Sequence, residues 1–255
     1  MSKLGDKIKE IRKNEGLSQE AFAKELGYSS KSTINKIEKG INEISYDKLM
    51  LLIDKYNLTL DQMFENNSNE IPLPKTTNSN LYISFSARSN GNSENIIKYM
   101  MEDNDTFISF KDLFINSCNK CNYECISLNK CKYRHDDIYN LLDVSIKYNK
   151  IVFVVPMYCG NPSSLYFTIM ERMQDYFNNN VDNYSMFVKK LHIIGIYGSN
   201  EESPYFIPLI SSILDDLDKC LPIQRHKFEI KMNDSVIDNK YIVTLIDMYK
   251  RKMGL

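Results

Sequence analysis

The hydrophobic pattern changes once along this chain, and the change divides it into two parts. In residues 1–66, apolar residues recur every three or four positions, as at Ile8 and Ile11, which predicts short amphipathic helices. In residues 81–255, continuous apolar runs such as 150–155 alternate with helix-like segments, which predicts strands that are buried on both faces of a sheet. We therefore expect an all-α domain followed by an α/β domain.

Residues 67–80 are rich in Asn, Ser, Thr and Pro and show no sustained period, which is typical of a linker. The net charge is −1 and 25% of the residues are charged, which fits a globular protein without a bulk affinity for polyanions. No apolar run approaches the ~18 residues of a membrane span, and the N-terminus shows no apolar signal segment. We expect a cytoplasmic protein without a membrane partner, in which the six cysteines are thiols or metal ligands.

The strongest motif of the first part is a pair of short helices joined by a turn. Ser18 is placed to cap the first of these helices, and Gly27 permits the sharp turn that follows it. In the next helix Ile34 and Ile37 share the inward face, and Gly40 can end that helix. We expect five helices in all, with Leu60, Met63 and Phe64 completing the core.

Residues 4–65 resemble the Cro/repressor-like (XRE-type) helix-turn-helix family. The resemblance is carried by Leu17, Ser18, Gln19, Glu20, Ala23, Gly27, Ile34, Ile37, Glu38 and Gly40. It implies a homodimer that binds double-stranded DNA, with helix 31–39 in the major groove. The implied DNA contacts are Gln19 to a phosphate, and Lys31, Ser32, Asn35 and Lys36 to bases or nearby phosphates. An Arg12–Glu38 pair would tie the first helix to the third.

The net charge of the first part leaves open an alternative to DNA binding. Residues 1–66 contain 11 basic and 11 acidic residues, so the part as a whole is neutral, whereas DNA binding draws on phosphate neutralisation. A helical bundle that binds protein is therefore the competing interpretation. Against it, Lys31, Lys36 and Lys39 cluster on the proposed recognition helix.

The second part predicts a flavodoxin-like, doubly wound sheet of five parallel strands. The expected strands are 81–85, 106–110, 150–155, 191–197 and 226–231, and the expected helices are 93–102, 136–148, 163–177, 206–218 and 235–252. Ligands of such sheets bind beyond the carboxyl ends of the strands. Three polar segments follow strand ends: 86–93, 156–162 and 197–200. The first combines hydroxyls, an arginine and a helix N-terminus, which suits a phosphate.

Residues 81–220 resemble the flavodoxin-like NAD(P)H-dependent FMN reductases and iron-sulfur flavoproteins. The matching residues are Ser86, Arg88, Gly91, Asn92, Ser93 and the segment PMYCGN at 156–161. Phe85, Ala87 and Cys159 depart from the family pattern. The resemblance implies that Ser86, Arg88, Asn92 and Ser93 hold the phosphate of FMN. It implies that Pro156, Met157, Tyr158, Gly160, Asn161, Gly198 and Ser199 border the flavin ring. The dinucleotide fingerprint G-x-G-x-x-G is absent, which favours FMN over FAD or NAD in the loop.

Four cysteines lie between the second predicted strand and the next helix: Cys118, Cys121, Cys125 and Cys131. Thiolates at this density can hold an iron–sulfur cluster or zinc. The resemblance to iron-sulfur flavoproteins implies a 4Fe–4S cluster, whereas zinc and free or redox-exchanging thiols are the alternatives.

Together the two parts predict a transcriptional regulator with an FMN-binding, redox-responsive domain. One alternative is an NAD(P)H-dependent flavin reductase with an accessory helix-turn-helix. The other is a regulator whose flavodoxin-like domain is a dimerisation scaffold without a cofactor. Catalytic residues are not assigned, because hydride and electron transfer are the chemistry of the flavin itself.

Overall fold

A computed structural model describes residues 3–60, 63, 71–118, 125–126, 131, 136–178, 180–199, 201, 203–231 and 234–255. The chain divides into two compact units, the first of residues 1–70 with 131–136 and the second of residues 71–130 with 137–255. Each unit is described by itself. No helix among the described residues is long and apolar enough to cross a membrane.

The first unit is a bundle of helices. Its described helices are α1 (Lys3–Asn14), α2 (Gln19–Glu25), α3 (Lys31–Glu38) and α4 (Tyr46–Tyr56). The fifth predicted helix falls largely outside the described residues, as does Phe64. Met63 is buried as expected, but Leu60 is exposed, and Leu58 occupies the core instead.

Local signals explain where these helices begin and how closely they pack. The hydroxyl of Ser18 accepts a hydrogen bond from the backbone N–H of Ala21, which caps α2. Ser30 caps α3 in the same way. Gly5 lies where α1 crosses the end of α3, and a Cβ atom there would overlap the carbonyl oxygen of Ile37. Glycine at this position therefore sets the distance between the two helices.

The second unit is an α/β domain. Its strands are β1 (Leu81–Ser84), β2 (Thr106–Ser109), β3 (Ile151–Tyr158), β4 (Asn161–Pro162), β5 (Leu191–Tyr197) and β6 (Cys220–Gln224). Its α-helices are α5 (Asn92–Met100), α6 (Ile138–Ser145), α7 (Ser164–Phe177), α8 (Val181–Lys190), α9 (Phe206–Ser211) and α10 (Lys240–Met253).

The sheet has the strand order β2-β1-β3-β5-β6, and all four pairings along this path are parallel. With β4 set aside, this is the 2-1-3-4-5 order that defines the flavodoxin-like fold. The predicted fold class is therefore confirmed. β4 is a short sixth strand that pairs antiparallel with β3 and was not predicted.

Alternate residues of the central strands supply two hydrophobic cores, one on each face of the sheet. On one face Ile151, Phe153 and Val155 of β3 pack with residues of α6, α7 and α9. On the other face Val152 and Val154 pack with residues of α5 and α10. Burial on both faces explains why β3 is continuously apolar in sequence.

Two predictions for the end of the chain are wrong. The last strand is Cys220–Gln224, whereas residues 226–228 form a single 3-10 turn. The alternation in His-Lys-Phe-Glu-Ile imitates a half-buried strand, while Pro222 argues against one in Cys-Leu-Pro-Ile-Gln. Pro222 is tolerated because β6 is the edge strand of the described sheet, where β5 is its neighbour. Helix α9 accordingly ends at Ser211, short of the predicted 206–218.

Candidate functional sites

Helix α3 presents a polar, basic face. Ile34 and Ile37 are buried in the core of the first unit, as predicted. On the opposite side Lys31, Ser32, Lys36 and Lys39 are exposed and Asn35 is half-buried. The acidic residue of the helix, Glu38, is buried and removed from this face. The face is therefore positively charged although the unit as a whole is neutral.

A buried ion pair connects α1, α2 and α3. Arg12 Nε lies 2.5 Å from Glu38 Oε1, and Arg12 Nη2 donates to Glu38 Oε2 at 3.2 Å. Gln19 Nε2 also donates to Glu38 Oε2, at 2.8 Å. Glu38 thus orients the amide of Gln19, the residue for which sequence implied a phosphate contact. One N–H of that amide is used by Glu38, which leaves the other for a ligand.

The loop between β1 and α5 begins with an aromatic residue that points away from it. Phe85 is fully buried, with ring centroids 4.9 Å from Phe110, 4.8 Å from Phe153 and 5.7 Å from Tyr166. A phenylalanine where related loops have glycine therefore fills the core and does not crowd the loop.

The loop itself is a tight polar turn. Ser86 Oγ accepts from the backbone N–H of Arg88 at 3.1 Å and donates to its carbonyl oxygen at 3.0 Å. Asn90 has a left-handed conformation, with φ +55°. Gly91 does not, and a Cβ atom there would make only ordinary contacts at 3.9 Å. Within this loop the conformationally demanding position is thus Asn90 and not Gly91.

The first turn of α5 is open to an anion. Its N-cap is Gly91, which brings no side-chain hydrogen bond to the first-turn amides. The buried carboxylate of Glu94 accepts from the backbone N–H of Asn90 at 2.7 Å, so it holds the loop in place. An anion would therefore bind at the α5 amides and not at the amide of Asn90.

Asn92 has a structural role that sequence did not reveal. Its Nδ2 donates to the carbonyl oxygen of Asp234 at 3.2 Å, and its Oδ1 accepts from the N–H of Val236 at 2.9 Å. Asn95 contacts Ser235 in the same segment, at 3.4 Å. Asn92 thus fastens the segment 234–236 to the start of α5, which leaves its backbone N–H as the group that can contact a phosphate.

Two adjoining pockets lie at the carboxyl edge of the sheet. The first, of about 320 Å³, includes Ser86, Arg88, Asn92, Ser93, Pro156, Met157 and Tyr158 of the predicted site. The second, of about 690 Å³, includes Arg88, Met157, Tyr158, Gly160 and Gly198. Arg88, Met157, Tyr158 and Arg225 line both. Asn161 and Ser199 line neither; the amide of Asn161 instead donates to the carbonyl oxygen of Cys159 at 3.2 Å.

Tyr158 stands at the boundary of the two pockets. Its hydroxyl lies 3.2 Å from Ser86 Oγ, and the Arg88 guanidinium lies 5.7 Å from its ring centroid. The next two residues, Cys159 (φ +47°) and Gly160 (φ +82°), form the two-residue turn into β4, as positive φ values at both positions favour. This turn exposes Cys159 at the rim of the second pocket.

Sequence reasoning missed the contribution of residues 225–235 to both pockets. Arg225, Asp234 and Ser235 line the first pocket, and Arg225, His226, Glu229, Ile230 and Lys231 line the second. No motif marks this segment. Its place beside the loop depends on the position of β6, which the sequence predicted at 226–231 and the structure has at Cys220–Gln224.

The cysteines predicted as ligands differ in environment. Cys118 is exposed, Cys125 is half-buried and Cys131 is buried, whereas Cys121 lies outside the described residues. Among the described residues, no three His, Cys, Asp or Glu side chains come together as metal ligands. The described part of the chain therefore does not support the expected iron–sulfur cluster or zinc. Burial raises the pKa of the Cys220 thiol to about 12, so it stays protonated.

Comparisons with known proteins bear on both units. A family model described as helix-turn-helix matches residues 8–63. No curated protein sequence matches the chain. Among solved structures, a flavone reductase is 15% identical, with a TM-score of 0.45 over 68% of this chain and 60% of the other. RosB with a bound riboflavin-5'-phosphate derivative is 12% identical, with a TM-score of 0.49 over 69% and 80%.

An FMN-dependent NADH-azoreductase from Bacillus anthracis, in complex with FMN, is 13% identical, with a TM-score of 0.41 over 69% of this chain and 99% of the other. These TM-scores are low, so the assignment of the second unit rests on its strand order. The chain thus combines a segment that matches the helix-turn-helix family model, residues 8–63, with a flavodoxin-like α/β domain that follows it.

Proposed function

We propose that the chain is a DNA-binding transcriptional regulator in which residues 1–66 read DNA and residues 81–255 bind FMN and report its redox state. The main support for this proposal is that two candidate binding sites occur in the same chain. One is a helix-turn-helix with a basic outer face. The other is a pocket built around a phosphate-type loop and an open helix N-terminus.

For the DNA site, α3 is the recognition helix. Lys31, Ser32 and Lys36 are exposed on its outer face, and Asn35 lies beside them. The inward face is occupied by Ile34 and Ile37, so α3 can enter a groove without loss of the core. We propose that the protein acts as a homodimer, because many helix-turn-helix proteins read two half-sites about one helical turn apart.

For the flavin site, the residues present fit FMN. Arg88 and the α5 amides offer a charged and a dipolar contact to a phosphate, and Ser86 and Ser93 add hydroxyls. The adjoining pocket at Met157 and Tyr158 has room for the ring. FMN supplies hydride and electron transfer when it is bound. The protein's own residues would bind and position it.

A second candidate function is an NAD(P)H-dependent flavin reductase. The observation that favours it is the second pocket, which is about 690 Å³ and opens beside the phosphate-type loop. Such an enzyme would oxidise NAD(P)H continuously with an added acceptor, whereas a sensor would be reduced once per flavin.

The DNA part is tested on the chain's own promoter region. Replacing Asn35 and Lys36 by Ala should abolish the footprint and leave the helical content unchanged, because neither side chain is in the core. Replacing Lys9 and Lys13 of α1, two other exposed polar positions, is the matched control. A footprint that survives the first substitution shows that α3 is not the recognition helix.

The flavin part is tested by the spectrum and flavin content of the purified protein. We expect FMN near one equivalent after incubation with excess FMN. Protein that takes up no flavin would be a regulator whose flavodoxin-like domain is a scaffold.

A further inference from the structure

Arg225 is anchored at the carboxyl edge of the sheet, immediately after β6. Its backbone N–H donates to the carbonyl oxygen of Tyr197 at 2.9 Å. Its own carbonyl oxygen accepts from the N–H groups of Phe228 at 3.0 Å and Ile230 at 3.1 Å. The backbone from which its side chain extends is therefore held by three hydrogen bonds, and the side chain is half-buried.

Arg225 lies at the same pocket as the phosphate-type loop, although it comes 132 positions after Ser93 in the sequence. Arg225 lines the small pocket that also contains Ser86, Arg88 and the first turn of α5. It lines the larger pocket as well, as Arg88 does. The two arginines thus line the same two pockets although they come from opposite ends of the domain's sequence.

Arg225 forms no ion pair with the carboxylates of the described residues. Among the described residues, no Asp or Glu oxygen lies within ion-pair distance of its guanidinium. Two acidic residues line the pockets with Arg225: Asp234, whose Oδ2 accepts from the N–H of Lys231 at 3.1 Å, and Glu229, which is exposed. A half-buried cation that no described carboxylate neutralises is costly, and an anion in the pocket would offset that cost.

We propose that Arg225 is a second cationic ligand for the phosphate of FMN and the residue by which the pocket selects FMN over riboflavin. This inference rests on the proposed FMN site. A phosphate monoester carries about −1.5 to −2 charges at neutral pH, so Arg88 alone leaves part of that charge unbalanced. A guanidinium can donate two parallel hydrogen bonds to phosphate oxygens. Riboflavin lacks the phosphate, so Arg225 would not add to its affinity.

The experiment measures the affinity of the full chain for FMN and for riboflavin by quenching of flavin fluorescence at fixed salt. Arg225→Gln should weaken the affinity for FMN by about tenfold or more, which is the usual loss for a hydrogen bond to a charged group. The affinity for riboflavin should be unchanged. Arg225→Lys keeps the charge but cannot donate two parallel hydrogen bonds. Its FMN affinity should therefore lie between those of Arg225→Gln and the unchanged protein. Lys227→Gln is the matched control, because Lys227 is exposed, lines neither pocket and carries the same charge.

Each outcome is decisive once the unfolding midpoint of Arg225→Gln has been shown to match that of the unchanged protein. Loss of FMN affinity alone supports the proposal. Equal loss of FMN and riboflavin shows that Arg225 contacts the ring or holds the fold, which overturns it. Unchanged FMN affinity in Arg225→Gln also overturns it, while the FMN site stands. Failure of the unchanged protein to bind FMN refutes the proposed function itself.

Discussion

Replacing Glu38 by Leu removes the carboxylate at the centre of the first unit and leaves the Arg12 guanidinium charged and buried. The side chains of Arg12 and Glu38 are only 12% and 3% exposed, so water cannot take the place of the lost partner. Breaking a buried ion pair from one side costs about 3–5 kcal/mol. A domain of this size has a free energy of unfolding of roughly 3–8 kcal/mol. Glu38→Leu should therefore unfold much of the helix-turn-helix at room temperature.

The assay is amide hydrogen exchange of α1–α3 in the full chain, because it reads the first unit separately from the second. Arg12→Met combined with Glu38→Leu should recover at least about 2 kcal/mol relative to Glu38→Leu alone, since the double variant has no unpaired charge. Glu20→Gln is the control. It breaks the exposed Lys24–Glu20 pair at 3.9 Å and should cost less than ~1 kcal/mol. If Glu38→Leu exchanges no faster than Glu20→Gln, the ion pair does not stabilise this domain.

Three further predictions concern stability. Gly5→Ala should destabilise the first unit by about 1–3 kcal/mol in urea unfolding, because the new Cβ meets the carbonyl oxygen of Ile37; a gain in stability, as helix propensity alone predicts, would contradict the packing. His192 is buried and its pKa is lowered to about 4, by burial first and then by Lys150 and Lys219. The unfolded chain therefore binds the extra proton, and the second unit should lose roughly 3 kcal/mol as pH falls from about 6.5 to about 4. His192→Phe should flatten that part of the pH–stability profile, and an unchanged profile would exclude His192 as its source. Asn92→Ala should speed amide exchange of Val236, whose N–H it binds, and equal exchange rates would show that the contact does not hold the segment.

Sequence predicted the features that depend on local signals. The Ser18 cap, the buried Ile34 and Ile37 and the apolar run of β3 all follow from the residues at those positions and their immediate neighbours. The loop at 86–93 was likewise located because a polar segment follows a buried strand.

The wrong and missing predictions concern features that depend on contacts between residues far apart in the sequence. β6 was misplaced because Pro222 disfavours a strand in general but not at a sheet edge. With β6 misplaced, nothing indicated that Arg225 would lie beside Arg88. The bonds of Asn92 to Asp234 and Val236 likewise join residues more than 140 positions apart, for which a single sequence carries no signal.

The central claim is that the redox state of the bound flavin changes DNA affinity. Thermodynamic linkage makes this effect reciprocal. If the oxidised and reduced proteins differ in DNA affinity, then bound DNA must shift the midpoint potential of the flavin by the same free energy. The direct measurement is the dissociation constant of the promoter DNA complex, determined at fixed salt with the FMN-loaded protein fully oxidised and then fully reduced. The account predicts a ratio of about 5–150 between the two states, the usual range for coupled sites. Equal dissociation constants, with the flavin state verified in each sample, would contradict it.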